Sequence, residues 1–264
     1  MTPIDTYGLL GYPLGHSFSR PFFTEKFAKE GIPAEYLNFE IPDINLLTDV
    51  LLEHPNLRGF NVTIPYKQAI LPYLDTVSSE AQEIGAVNVV KVVYDKEGKR
   101  SLHGFNSDVV GFSRSIAPLL QPHHTKALVL GTGGASRAIV YGLKQLGISA
   151  TLVSRRPCEG QLTYADIDAQ VLQAHTVVVN CSPIGMHPHV DEAPALPYEL
   201  LSERHLCYDL VYNPSTTAFM QRSAAQGACV KNGLEIVPVK WIDEILPIAL
   251  VSDPMKRGWS LSDN

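Results

Sequence analysis

Cysteine is scarce in this chain of 264 residues: the four, Cys158, Cys181, Cys207 and Cys229, stand far apart with no C-x-x-C pair. That spacing indicates neither a zinc knuckle nor a disulfide framework and predicts reduced, mostly buried thiols. Positive charge is short as well, since 21 Lys and Arg against 27 Asp and Glu give a formal net charge of −6. With no global basic field to hold nucleic acid or an anionic membrane, any bound anion needs a local site. No apolar stretch reaches the ~20 residues of a membrane span, and no cationic segment followed by an apolar run opens the chain. A cytoplasmic protein is expected, acting on a small molecule, with neither nucleic acid nor membrane as partner. Repeats, low-complexity tracts and a G-x-S-x-G elbow are all missing. His187-Pro188-His189-Val190-Asp191 offers metal-ligand atoms, but its prolines make it a loop and no third histidine has diagnostic spacing, so no metal site is predicted.

What is there is a chain 45% hydrophobic and 18% charged, able to bury a sizeable core and long enough for two domains. Residues 126–138 read Lys-Ala-Leu-Val-Leu-Gly-Thr-Gly-Gly-Ala-Ser-Arg-Ala and run on into the helical spacing of Ile139, Val140, Leu143 and Leu146. That is a buried strand, a tight turn and a helix start. Gly131, Gly133 and Gly134 leave backbone N–H groups bare, and the helix behind them presents the positive end of its dipole, so a pyrophosphate fits there. The strict G-x-G-x-x-G fingerprint fails, because Ser136 stands where the third glycine would be. A second strand, 150–153, ends in Ser154-Arg155-Arg156 at about the ~20-residue distance where such folds meet the adenosine ribose. A hydroxyl and two guanidinium groups suit a 2′-phosphate, which argues for NADP over NAD.

Periodicity predicts strands at 7–12, 35–41 and 58–64, a hairpin over 86–94 and 101–105, and helices from Pro21, at 44–52, 78–85 and 109–120. Further on it predicts helices at 165–175 and 217–226 and strands at 176–180, 206–211 and 229–230. The fold class expected is α/β: two α/β domains, an N-terminal substrate domain and a Rossmann-like doubly wound NADP-binding domain, with a cleft between them. The boundary is placed at the helix beginning near Asp108, giving a catalytic domain over 1–107, rejoined by 236–264, and a cofactor domain over 108–235.

Asn61 and Thr63 alternate along a strand, share one face and lead through a proline corner to Lys67. Two polar groups and a lysine gathered at a strand end is how small polar substrates are held. Asn88, in the middle of Ala-Val-Asn-Val-Val, demands partners if buried. Asp108 can cap the helix that follows it, and Ser19 is well placed as an N-cap, a role that Ser17 does not have.

Ser17-Phe18-Ser19, Asn61-Val62-Thr63-Ile64-Pro65-Tyr66-Lys67, Gly85-Ala86-Val87-Asn88, Gly104-Phe105-Asn106-Ser107-Asp108, the glycine loop and Tyr208-Asp209-Leu210-Val211-Tyr212-Asn213-Pro214 occur in that order. With these six motifs the chain resembles the shikimate dehydrogenase family over about residues 4 to 236. The resemblance implies NADP-dependent, reversible reduction of 3-dehydroshikimate to shikimate in the chorismate route to aromatic amino acids, by a monomer or homodimer. It also implies that Ser17, Ser19, Thr63, Asn88 and Tyr212 bind substrate and that Lys67 and Asp108 form the catalytic pair. Gly131, Thr132, Gly133, Gly134, Ala135, Ser154, Arg155, Arg156, Leu210 and Gly233 match the family's NADP contacts.

The family normally follows the glycine matching Gly233 with a helix whose glutamine reaches the substrate; here Lys240 occupies that position and only donates. Pro238 and Pro247 interrupt the same stretch, and from Ile236 on the tail no longer looks like the family. Two other readings follow: a related dehydrogenase that also accepts quinate or uses NAD, and an NADP-binding protein whose catalysis the tail impairs.

Overall fold

The computed structural model describes residues 4–15 and 19–233, which fall into two compact units, one up to Asn106 and one from Ser107. In the first unit, β1 (Asp5–Gly11) leads to α1 (Ser19–Glu30), then β2 (Ala34–Glu40), α2 (Leu47–Glu53), β3 (Leu57–Val62) and α3 (Tyr66–Ala69). β4 (Thr76–Val77), α4 (Ser79–Ile84) and the hairpin strands β5 (Val89–Tyr94) and β6 (Arg100–Phe105) complete it. The sheet runs β2-β1-β3-β5-β6-β4, with β1 parallel to both neighbours and β5 antiparallel to β3 and β6.

The two-residue period of a strand decides what each face buries. Leu10, Phe60, Val62, Val90 and Val92 pack with Leu47, Val50 and Leu51 of α2, while Tyr7, Leu9 and Tyr36 pack with Phe23 and Phe27 of α1. Each fully buried Leu or Phe of such a core contributes about 1.5–3 kcal/mol. α4 is defined by its caps: the Ser78 hydroxyl accepts from the Ala81 N–H, and Gly85 closes it in a left-handed conformation.

The second unit begins with α5 (Asp108–Ile116) and continues as β7 (Lys126–Leu130), α6 (Gly134–Gln145), β8 (Ser149–Val153), α7 (Ala169–Ala174) and β9 (Val177–Asn180). β10 (Leu206–Asp209), α8 (Ala218–Ala224) and β11 (Cys229–Asn232) follow. Its sheet is wholly parallel in the order β11-β10-β9-β7-β8, so the first strand of the unit, β7, lies inside the sheet and the chain winds out from it in both directions. Ala127 and Val129 pack with Phe112, Ile139 and Leu143 on one face, and Leu128 and Leu130 with Leu172, Phe219 and Met220 on the other. That double burial is why β7 reads as an unbroken apolar run. The fold is α/β, with the parallel sheet of Rossmann type.

Some local expectations are corrected. The helix expected over 165–175 is broken into a 3₁₀ turn, Tyr164–Asp166, and α7, because two carboxylates turn onto the backbone. Asp166 accepts from the N–H and hydroxyl of Thr163, and Asp168 accepts from the Val171 N–H as the cap of α7. The helix expected over 109–120 ends at Ile116 and tightens into a 3₁₀ turn containing Pro118. Ser19 is the first residue of α1 rather than its cap, and Ser107, not Asp108, precedes α5. Of the thiols, Cys207 is buried and Cys181 half-buried, but Cys158 and Cys229 are exposed. Among the described residues no helix is long and apolar enough to cross a membrane.

His124 is buried between β7 and the turn before β10, its ring accepting from the Gln121 N–H at 2.9 Å and lying 3.1 Å from the Arg204 carbonyl. Burial lowers its pKa, as do the neighbouring His123 and His205, while the Arg204 carbonyl opposes them. A depressed histidine binds fewer protons folded than unfolded, so this contribution to stability is fully present above the unfolded value of about 6.5 and is lost as pH falls from there through the lower folded value. The melting temperature of wild type relative to His124→Gln should therefore drop between about pH 7.5 and 5.5, either side of that value; parallel melting curves against pH would remove His124 from the balance.

Candidate active site

β1 and β3, adjacent and parallel, end together, and the polar residues picked from the sequence collect where they do. The Thr63 N–H donates to the Leu10 carbonyl at 2.9 Å, extending the ladder one step past β3 before Pro65 turns the chain into α3. α3 is anchored by Tyr66, whose hydroxyl donates to the Ile41 carbonyl at 2.6 Å, and it carries the half-buried Lys67. The Lys67 carbonyl accepts from the Val87 N–H at 2.7 Å, and the next residue, Asn88, gives its carbonyl to the Val62 N–H at 2.8 Å. Asn88 is buried. Main-chain bonds thus fix Lys67 and Asn88 beside Thr63.

Asn61, one pleat before Thr63, accepts at Oδ1 from the Tyr36 hydroxyl at 2.7 Å, and Ser19 lies close enough to Tyr36 to oppose the upward push of burial on its phenol. The structure therefore brings Ser19, Asn61, Thr63, Lys67 and Asn88 into one neighbourhood of the first unit. Tyr36 is the member that sequence reasoning missed; an aromatic in a strand reads as core, and only its buried hydroxyl could have signalled otherwise. Ser17 and Lys240 lie outside the described residues, as do 236–264 with Pro238 and Pro247.

In the second unit, the glycine loop follows β7 at the point where strand order reverses, between β7 and β9, which is where open parallel sheets receive ligands. Gly131 has φ +112, and a Cβ there would lie 3.3 Å from the Ser182 nitrogen, so the loop after β9 closes flush against it. Gly133 has nothing within 4 Å of where a Cβ would stand, and it precedes α6 with extended backbone. The opening and the first N–H groups of a twelve-residue helix fit a pyrophosphate. Thr132 and Ala135 line the same turn. Ser136, in place of the third glycine, is 1% exposed and donates to the Gly133 carbonyl at 2.6 Å, so its hydroxyl is absorbed into the first turn.

Past β8, the Ser154 hydroxyl closes a turn by accepting from the Arg156 N–H, and both Arg155 and Arg156 are exposed. Across the sheet, β10 ends in Asp209, fully buried, which accepts from Asn180 at 2.9 Å, the Val211 N–H at 3.0 Å and the Thr217 hydroxyl at 2.6 Å. Burial pushes its carboxyl up to about 6, the three donors pulling it back down. Asn180 uses its own Oδ1 for the Ser182 N–H and hydroxyl. The loops carrying Cys181 and Tyr212 are therefore tied to one buried carboxylate. Leu210 and Gly233 meet so closely that a Cβ on Gly233 would stand 2.6 Å from the Leu210 carbonyl oxygen. Asp108 opens α5 near Cys181, whose thiol is held protonated first by burial, then by the charges of Asp209 and Asp108. Among the described residues no group of three His, Cys, Asp or Glu could hold a metal ion.

Comparison with known proteins bears on both units. A family model described as the shikimate dehydrogenase substrate binding domain matches residues 9–90. A shikimate dehydrogenase (NADP(+)) of Carboxydothermus hydrogenoformans is 34% identical over 87% of this chain and 86% of its own length. The crystal structure of shikimate dehydrogenase from Aquifex aeolicus superposes with a TM-score of 0.80 at 30% identity, covering 95% of this chain and 94% of that one. Shikimate 5-dehydrogenase from Thermus thermophilus, solved in complex with NADP(H) and shikimate, does so with a TM-score of 0.74 at 32% identity over 88% of each chain. With the matched region holding the Lys67 neighbourhood and the similarity running on through the glycine loop, this chain belongs to the shikimate dehydrogenase family.

Proposed function

We propose that the chain catalyses the NADP-dependent, reversible reduction of 3-dehydroshikimate to shikimate, a step of chorismate and aromatic amino acid biosynthesis. The observation that carries this reading is the gathering of Ser19, Asn61, Thr63, Lys67 and Asn88 around the ends of β1 and β3, within the region matched by the substrate-binding family model. Hydroxyls and amides there suit a small acid rich in hydroxyl groups. Ser17 and Tyr212 join them in this reading, with Lys240 in the place of the family's glutamine.

Gly131 to Ala135 hold the pyrophosphate, Leu210 and Gly233 are further cofactor contacts, and Ser154, Arg155 and Arg156 take the 2′-phosphate. NADPH, when bound, supplies the hydride. Reduction of the ketone leaves an alkoxide, so the chain must deliver one proton to that oxygen. Lys67 delivers it, and in the oxidation direction takes it back from the hydroxyl. Asp108 orients the lysine and the substrate hydroxyl rather than carrying the proton. In this division of labour 1–107, with 236–264, serve the substrate and 108–235 the cofactor.

A spectrophotometric assay of NADPH absorbance with shikimate and NADP tests the reaction, and quinate and NAD in parallel test its specificity. Lys67→Ala should lower kcat by about 10²–10⁴, the usual worth of a positioned acid–base group, with NADPH affinity unchanged by titration. A variant that keeps near wild-type kcat takes the lysine out of the mechanism. Replacing Arg155 and Arg156 together by alanine should cut kcat/KM for NADP by about 10- to 100-fold and leave that for NAD nearly unchanged, since charge-assisted bonds to phosphate are at stake. Equal losses with both cofactors would place the two guanidinium groups elsewhere than at the 2′-phosphate.

A further inference from the structure

Tyr36 is not one of the residues that the reaction calls for, yet it sits beneath two that are. It lies on β2 with 4% of its surface exposed, and its ring stacks on Phe23 of α1 at 4.3 Å between centroids and 7° between planes. β2 and β3 are separated by β1, and two strand spacings are about 10 Å, so only a long side chain lying along the face can bridge them. Tyr36 does so, and its hydroxyl ends 2.7 Å from Asn61 Oδ1.

A phenol has one proton. It is given to Asn61 Oδ1, and that bond fixes the sense of the amide. With the acceptor of the Asn61 amide used inside the protein, its two N–H donors are the part left to meet a ligand. Burial pushes the phenol far above its usual value, with Ser19 opposing that shift, so it keeps its proton at any pH at which the protein works.

We propose that Tyr36 is a positioning residue for the substrate: it locks the Asn61 amide in one orientation, so that the hydroxylated acid meets an oriented pair of donors. This rests on the reaction assigned above. It adds a residue from the α1 face of the sheet, acting through Asn61 rather than by touching the ligand.

Tyr36→Phe keeps the ring and its stack on Phe23 and removes only the hydroxyl. The expected result is a rise in KM for shikimate of about ten-fold, with kcat and the KM for NADP each within about two-fold of wild type, the pattern of lost uniform binding. A general loosening of the fold would not separate the two substrates in this way. In a double-mutant cycle, Tyr36→Phe added to Asn61→Ala should raise the shikimate KM little beyond Asn61→Ala alone, because both remove the same bond. Asn61→Ala leaves the aromatic stack untouched and, because it removes the oriented amide itself, should raise the shikimate KM at least as far as Tyr36→Phe does. A shikimate KM within about two-fold of wild type in either single variant, or factors that multiply in the double variant, overturns the inference. A wild-type protein that fails to oxidise shikimate would instead sink the reaction on which it rests.

Discussion

A carboxylate with no access to water fixes much of the second unit. Asp209 ends β10 at full burial, where an ionised group is tolerated only if donors surround it. Asn180, Val211 and Thr217 are those donors, one at the end of β9, one just past β10 and one at the start of α8. Asn180 ends β9 and hands its own acceptor to Ser182; Thr217 caps α8 through the Met220 N–H. A single desolvated charge thus sets the path of the chain on both sides of β10, including the approach to Tyr212 and the loop that closes on Gly131. Because the carboxyl is raised only to about 6, it is mostly ionised at neutral pH, and the donors face the form they stabilise.

The first unit solves the same problem with main-chain bonds and neutral side chains. Val87 and Val62 clamp the backbone of Lys67 and Asn88, so the lysine stands on a short helix whose position is set by a hairpin and not by its own four residues. A helix that short has no stability alone. Tyr66, inserted into the core with its hydroxyl on Ile41, supplies what propensity cannot.

How much of this could be read in advance depends on whether the signal is local. The unbroken apolar run of β7 and the glycines after it announce a buried strand and a phosphate-sized turn, because both follow from period and from backbone freedom. Ser136 could be read as a broken fingerprint, but not as a hydroxyl folded into the first turn of α6, since that depends on one hydrogen bond to Gly133. The break before α7 was hidden for a similar reason: Asp166 and Asp168 suit a helix surface in any pattern count, and only their capping geometry shows that each ends or starts a turn. Tyr36 and Asp209 were illegible as anything but core and motif. Their roles depend on partners 25 and 29 residues away in one case and the other, and no spacing rule reaches across a sheet.

Both hidden residues do the same physical work. Each is a polar group buried on a sheet, and each is bonded to an asparagine near the carboxyl end of another strand, Asn61 of β3 and Asn180 of β9. Burial makes an unmet hydrogen bond costly, so the groups that meet it lose their freedom to rotate. Asn61 and Asn180 thereby acquire a fixed orientation, which is what a site needs if it is to recognise hydroxyls by direction as well as by charge.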